Sequence, residues 1–254
     1  MKKKIGFISS NKPEAKESLK ILQKLYDSVA PDKADVIVAL GGDGTVLKCL
    51  HNFLNKQIPI YGMNRGFVGF LMNQYSEKNL EKRLAKAIPY KLYPLKIKSY
   101  DLKGKIKEGL AFNDVSMIRN SSKIAKIKIQ INNKTRIEEF LGDGCLISTP
   151  AGSSAYNLSL RGPVIPVEAQ VLALTPISPY RPRRWRGALL DNNVHITLLS
   201  LDSKRRPVRA EADFLEFNNI EKLEISLDKK CFMNLLFDPG HDLEERIINE
   251  QFNN

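Results

Sequence analysis

The 254-residue chain holds only three cysteines and one tryptophan. No apolar run approaches the roughly 18 residues of a membrane span. Cys49, Cys145 and Cys231 are odd in number and far apart, which argues against a disulfide framework and a cysteine-based metal motif. Each stands among apolar neighbours, so they read as buried free thiols of a reducing cytoplasm. The three histidines, His51, His195 and His241, share no motif and receive no ligand role. There is no Gly-Lys-Ser/Thr of a Walker loop and no Gly-x-Gly-x-x-Gly. Nor is there an internal repeat, a low-complexity linker, an RNA-binding aromatic motif or a helix-turn-helix. The opening "MKKKIGFISSNKPEAKE" has an apolar part of about four residues before Lys, Pro and Glu follow, a strand after a charged start rather than a signal peptide.

What the chain has in excess is positive charge, +12 in all, with 43% hydrophobic and 27% charged residues. That balance suits anionic ligands, nucleotides or nucleic acid. It does not choose between them, because a Lys/Ile/Asn bias on exposed faces produces the same figure.

The first part alternates strand and helix signals. "KIGFIS", "ADVIVAL" and "IPIYGMN" read as short strands, the second apolar throughout as for a strand covered on both faces. "KPEAKESLKILQKLYDSV" has Leu19, Leu22, Leu25 and Tyr26 at helical spacing with Pro13 near its start. A helix follows the glycines at 41–44 through about Leu54. "SEKNLEKRLAKAI" reads as a helix capped by Ser76. The strand-helix order predicts a parallel sheet. Near Pro89 the pattern changes to short segments of period-two alternation: "YKLYPLKIKSYD", "IKEGLAFNDVSMIR", "IAKIKIQINN", "TRIEEFLGDGCLIST", "VHITLLSLD", "RPVRAEAD" and "KLEISLDKKCFMNLLF". The expected architecture is an α/β domain over 1–88, completed by the tail 237–254, and a β-rich sandwich domain over 89–236. The tail "DLEERIINEQF" reads as a helix.

Three stretches carry chemistry. "LGGDGTVL" at 40–47 joins a strand to a helix through glycines around Asp43. Glycine permits positive φ and close approach of a ligand, and a helix start adds free amides and a positive dipole end. Asp43 is either the helix N-cap or a reacting carboxylate; a cap has no need of glycine on both sides. "GDGCLISTPAGSSAYNLSLRGPVIP" crowds Thr149, Ser153, Ser154, Tyr156, Asn157 and Ser159 into eleven positions, with a short helix beginning near Ser153. It suits a ribose or phosphate, or is a Ser/Thr turn with a cap. "FNDVSMIR" sets Asn113, a donor and acceptor, beside Asp114, able to accept from two hydroxyls; the same dipeptide is common in turns.

Taken together and in this order, these stretches resemble the NAD kinase family. The resemblance spans most of the chain and rests on "GGDGTVL" at 41–47, "GMNRGFVGFL" at 62–71, "NDVSM" at 113–117 and "GDGCLISTPAGSSAYNLSLRGPVI" at 142–165. The first stretch is shared with diacylglycerol-type lipid kinases and phosphofructokinases; the last is far more specific. "PRRWRGALL" resembles alphaproteobacterial members. The resemblance implies a diacylglycerol-kinase-like α/β domain followed by a β-rich domain. It implies ATP-dependent phosphorylation of the adenosine ribose 2′-hydroxyl of NAD, giving NADP, with Mg²⁺ bridging ATP phosphates and no protein metal site. It further implies a homodimer or homotetramer in which a neighbouring subunit completes the NAD pocket.

Carried over by position, Asp43 is the expected general base. Gly41, Gly42, Gly44 and Thr45 form the expected phosphate loop. Asp43, Gly44, Lys48, Asn113, Asp114, Asp143, Ala151, Ser154, Ala155, Tyr156, Asn157, Leu158 and Ser159 are the expected NAD contacts, with Tyr156 stacking on a base. The chain departs from the family in four places. Arg161-Gly162-Pro163 replaces Gly-Gly-Pro. Ala151-Gly152-Ser153-Ser154-Ala155-Tyr156 stands for Thr-Gly-Ser-Thr-Ala-Tyr. Asp213-Phe214-Leu215 stands for Asp-Gly-Gln, and Leu141 takes the place of an arginine. "RPRRWR" at 181–186 fits a phosphate site or, preferably, a subunit interface. Two other function classes compete: a lipid kinase, against which the hydroxyl-rich block argues, and a basic nucleic-acid-binding protein without a recognisable motif.

Overall fold

A computed structural model describes residues 3–66 and 69–240. The reading of 242–252 as a helix therefore falls outside the described residues. The chain forms two compact units. The first runs to Leu92 and resumes at Phe232; the second is Tyr93–Cys231.

The first unit begins with β1 (Ile5–Ser9), α1 (Pro13–Leu25), β2 (Val36–Gly41), α2 (Asp43–Phe53), β3 (Ile60–Asn64), α3 (Leu80–Lys86) and β4 (Ile88–Leu92). The second contains β5 (Leu95–Asp101), β6 (Ile106–Ala111), β7 (Asp114–Arg119), β8 (Ala125–Ile131), β9 (Lys134–Gly142) and β10 (Gly144–Ser148). A 3₁₀ turn (Ala151–Ser154) and the four-residue α4 (Tyr156–Ser159) follow. Then come β11 (Val171–Ile177), β12 (Ala188–Asp191), β13 (Ile196–Ser200), β14 (Val208–Ala212), β15 (Leu215–Phe217) and β16 (Ile220–Leu227), before β17 (Met233–Phe237) closes the first unit.

The sheet of the first unit has the order β1-β2-β3-β17-β4. β1, β2, β3 and β17 run parallel, while β4 pairs antiparallel with β17, Met233 opposite Leu92. The expected parallel sheet is thus mixed at one edge, where β4 pairs antiparallel with the returning strand β17. All six residues of β2 are buried, as its unbroken apolar run requires of a strand covered on both faces. α1 buries Ala15, Ser18 and Leu22; Leu25, expected on that stripe, is exposed, and Tyr26 lies beyond the helix end. Ser76 is not the cap of α3. That place belongs to Asn79 in a left-handed conformation, and Ser76 Oγ accepts from the Lys78 amide instead. The segment "KLEISLDKKCFMNLLF" is divided: β16 stays in the second unit and β17 returns to the first.

The second unit is a sandwich of two six-stranded antiparallel sheets, β12-β11-β10-β7-β14-β15 and β6-β5-β16-β13-β8-β9. Period-two alternation in β5 and β8 sends Leu95, Ile97, Ile127 and Ile129 inward, where they meet Val115, Met117, Cys145 and Ile147 of the other sheet. Cys49 and Cys145 are buried free thiols, and burial pushes the Cys49 thiol up to about 12; Cys231 is only half-buried, against expectation. No described helix is long and apolar enough to cross a membrane.

One buried side chain ties the returning strand to the rest of the first unit. The Asn73 carboxamide donates to the carbonyls of Gly62 (3.0 Å) and Leu236 (2.9 Å), and its oxygen accepts from the Asp238 amide at 2.8 Å. Asp238 in turn accepts from Tyr61 and Arg83. Replacing Asn73 by Ala leaves three backbone groups without that partner. The expected loss is about 3 kcal/mol of unfolding free energy. Denaturant titration measures it, and a loss under about 1 kcal/mol would show that the clamp is dispensable.

Candidate active site

Each unit carries a cluster of the expected residues. In the first, β2 ends at Gly41 and α2 begins at Asp43, with Gly42 extended between them (φ −124°, ψ −173°). Asp43 is not the cap residue; Gly42 is the N-cap and Asp43 the first residue of the helix. The Asp43 carboxylate turns instead to the chain after β3, one oxygen accepting from the Phe70 amide (2.9 Å) and the other from the Leu71 amide (3.0 Å). The loop leaving β3 also closes on the glycines, because the Arg65 amide donates to the Gly41 carbonyl at 2.7 Å. Phe70 and Leu71 belong to the stretch "GMNRGFVGFL", yet no sequence pattern marks their amides as partners of a carboxylate 27 residues earlier. Phe67 and Val68 of that stretch lie outside the described residues.

The glycines have different reasons. A Cβ on Gly41 would stand 2.3 Å from Thr45 Oγ1, so packing of strand against helix demands glycine there. A Cβ on Gly42 or Gly44 would meet no described atom within 4 Å, and neither residue has positive φ. The expected conformational reason fails at these two, and open space beside half-buried Asp43 takes its place. Thr45 is half-buried and Lys48 exposed on the same helix.

In the second unit, the hydroxyl-rich block divides into two groups. Ser153 and Asn157 are fully buried and engaged within the protein. Ser153 Oγ donates to the Pro150 carbonyl and accepts from the Ile165 amide. The Asn157 amide donates to the Ser153 and Pro163 carbonyls, and its oxygen accepts from Thr175 Oγ1 at 2.6 Å. Asn157, expected as a ligand contact, therefore holds the turn. Gly162 presses on it, since a Cβ there would stand 2.1 Å from Asn157 Oδ1. Arg161 sits at φ +63°, the left-handed region that glycine adopts without strain, which accounts for the glycine of the resembling family at that place. Ala151 is buried and Ser154 and Leu158 half-buried, whereas Ala155, Tyr156 and Ser159 are exposed.

Beside this turn lie Asn113 and Asp114, at the start of β7. Asn113 Oδ1 is buried and has no hydrogen-bond partner among the described residues, an acceptor fitted to a ligand N–H. Burial, then the charges of Asp213 and Glu211, push the Asp114 carboxyl up to about 7. Burial also raises the Tyr156 hydroxyl, reinforced by Glu211, Asp114 and Asp143, which brings both aspartates into the surroundings of this exposed ring. Asp114 and Asp143 mark the two ends of β7, since Ser148 pairs with Asp114 while the Asp143 carbonyl accepts from the Arg119 amide. Five residues of strand separate those ends, roughly 16 Å, a long site for a mononucleotide.

Sequence reading missed Arg119, whose guanidinium donates to Asp143 at 2.5 Å, and Asp213, whose carboxylate holds the backbone of 112–114. The only available signal was that Arg119 ends the stretch "FNDVSMIR" and that Asp213 heads the divergent triplet. The arginine loop leans on β9: the Leu141 amide donates to the Arg181 carbonyl, and Trp185 packs edge-on against Phe140 at 5.8 Å. Arg181 and Arg183 flank the Tyr180 ring. Among the described residues no group of three His, Cys, Asp or Glu is placed to hold a metal ion.

Comparison with known proteins bears on both units. Residues 1–91 match the model of the ATP-NAD kinase N-terminal domain, and residues 112–210 that of the C-terminal domain. The NAD kinase of Rhizobium meliloti is 47% identical over 250 residues, covering 98% of this chain and 97% of the relative. That of Caulobacter vibrioides is 47% identical over 249 residues, covering 98% and 96%. Among solved structures, yeast NADH kinase complexed with NADH has a TM-score of 0.83 at 21% identity, covering 98% of this chain and 88% of that one. An NAD kinase from Archaeoglobus fulgidus in complex with ATP has a TM-score of 0.76 at 20% identity, covering 97% and 98%. The structural likeness shows the shared fold, and the near-full-length identity to the curated relatives shows the rest: the chain belongs to the NAD kinase family.

Proposed function

We propose that the chain is an NAD kinase in the strict sense, moving the γ-phosphoryl group of ATP to the adenosine ribose 2′-hydroxyl of NAD⁺ and releasing NADP⁺ and ADP. The observation that carries this reading is the Asp43 carboxylate, fixed by two backbone amides at the mouth of a glycine loop. Held at both oxygens, the carboxylate has a fixed orientation before a substrate hydroxyl arrives. Asp43 is the general base, accepting the 2′-hydroxyl proton as that oxygen attacks phosphorus. A carboxylate is a weak base, so most of the acceleration comes from holding hydroxyl and phosphate in line.

The amides at the start of α2 and the space over Gly42 and Gly44 suit the phosphates, with Thr45 and Lys48 on the same helix. Mg²⁺ carried by the triphosphate would neutralise phosphate charge. In the second unit Asn113 offers its buried acceptor to the adenine edge, and Asp114 accepts from the ribose diol. Ser154, Ala155, Tyr156, Leu158 and Ser159 line the same ligand, with Ala151 and Asn157 supporting the turn. Asp143, ion-paired to Arg119, faces the nicotinamide end. We further infer a cytoplasmic homo-oligomer, dimer or tetramer, with the arginine loop at 181–186 at its interface; the domain bounds are those of the two units, Leu92 and Phe232 in place of the expected 88 and 237.

Purified protein supplied with NAD⁺, ATP and Mg²⁺ is expected to form NADP⁺. Asp43→Asn removes the base and turns an NH₂ donor toward one of the two amides, so kcat should fall by about 10²- to 10⁴-fold, with NAD⁺ binding retained; undiminished turnover would refute the assignment. Gly44→Ala meets no described protein atom within 4 Å. It should leave stability unchanged or raise it by up to about 1 kcal/mol, as expected in a helix. If phosphates use that space, KM for ATP rises at least about tenfold, a change of about 1.4 kcal/mol. An unchanged KM in a folded Gly44→Ala protein would move the phosphates elsewhere.

A further inference from the structure

The turn between β14 and β15 does more than reverse the chain. Asp213 occupies it at φ +49°, in the left-handed region that Asp tolerates better than most side chains. Its carboxylate accepts the amides of Phe112 (2.7 Å), Asn113 (3.1 Å) and Asp114 (3.4 Å), and its own amide donates to the Asp114 carbonyl. The opposite side of the same segment is equally fastened. Thr149 Oγ1 donates to the Phe112 carbonyl at 2.6 Å, the Thr149 amide donates to the Asn113 carbonyl at 2.9 Å, and a Cβ on Gly152 would stand 2.2 Å from that carbonyl. The peptide units carrying Asn113 and Asp114 are thereby clamped on both faces.

Both carboxylate oxygens are used, one accepting from Phe112 and the other from Asn113 and Asp114, and a neutral amide would turn a donor toward one of these groups. The clamp is a carboxylate, and it stands beside the buried carboxyl of Asp114, a costly pairing of like charges. We propose that Asp213 is a positioning residue for the dinucleotide. Through the backbone of 112–114 it fixes how the Asn113 carboxamide and the Asp114 carboxylate face the ligand. By its charge it governs how strongly Asp114 accepts from a ribose diol. This rests on the kinase reading above.

Three described groups face Asp114 from the elements packed around it. Asp213 comes from the turn. Glu211 comes from β14, ion-paired to Arg209 at 2.8 Å, and Tyr156 comes from α4. The Arg119–Asp143 pair lies at the other end of Asp114's own strand. Ionised Asp114 accepts both ribose hydroxyls; protonation removes an acceptor and adds a competing donor. Because burial and the two neighbouring carboxylates hold its titration near 7, affinity for NAD⁺ is expected to rise as pH climbs through neutrality.

The test is the Kd for NAD⁺ by calorimetry, with KM from NADP⁺ formation, between about pH 6 and about pH 8.5. Asp213→Asn lacks the charge and turns a donor toward the amides. It should raise Kd for NAD⁺ about tenfold on the alkaline side, leave KM for ATP unchanged, and move the midpoint of the pH profile downward. Glu211→Gln should move the midpoint downward with the alkaline Kd unchanged, because it touches none of the clamped amides. Asp213→Glu keeps the charge and displaces the oxygens, so Kd rises at the original midpoint; it decides the positioning role if Asp213→Asn does not fold. A wild-type Kd in either Asp213 variant overturns the positioning role, and a midpoint common to all the proteins overturns the charge effect. An unaltered protein that neither binds NAD⁺ nor forms NADP⁺ overturns the kinase reading and this proposal with it.

Discussion

A carboxylate that accepts the backbone amides of a distant segment is the constraint on which both clusters depend. In the first unit Asp43 takes the Phe70 and Leu71 amides and so joins the glycine loop after β2 to the chain after β3. In the second, Asp213 takes the amides of 112–114. Charge-assisted bonds of this kind are stronger than neutral ones and directional, so they orient the backbone of segments whose apolar side chains, Leu71, Met72 and Phe112, are already buried. The two carboxylates differ in what else they do. Asp43 is itself at the proposed point of reaction, while Asp213 acts through the residues it holds.

The scaffold around these bonds is ordinary by comparison. β2 is apolar along its whole length because helices and neighbouring strands leave it no exposed face, and β8 alternates because one of its faces is wet. Both patterns are local and were legible as such. The order of elements up to Lys86 followed from them. The mixed edge of the first sheet did not, since the direction of β4 depends on pairing with β17, and the two are about 140 residues apart. Asn73 and Asp238 secure that closure with bonds no periodicity announces.

At the candidate site, legibility was uneven for a similar reason. "LGGDGTVL" announced a ligand loop, and Asp43 remained one of two alternatives until its carboxylate was seen to accept the Phe70 and Leu71 amides. The glycines on either side divide: Gly41 is demanded by Thr45, whereas Gly42 and Gly44 border open space. In the second block, Tyr156 and Asn157 are adjacent and looked alike as candidate contacts. One is exposed and the other is spent on Ser153, Pro163 and Thr175. Leu141 removes an arginine found in the resembling family, and Arg119 supplies the charge that meets Asp143 from the neighbouring strand.

The sequence alone determined the two kinds of architecture, the positions of the loops and the family, because strand period, glycine spacing and residue order are properties of neighbours along the chain. Tertiary structure decided which polar groups are free to meet a ligand and which are used to build the site. That choice is set by partners such as Asp43 with Phe70, or Asp213 with Phe112, separated by 27 and 101 positions. A buried polar atom must find a partner wherever the fold brings one, and only folding tells which atoms have been satisfied and which, like Asn113 Oδ1, still await one.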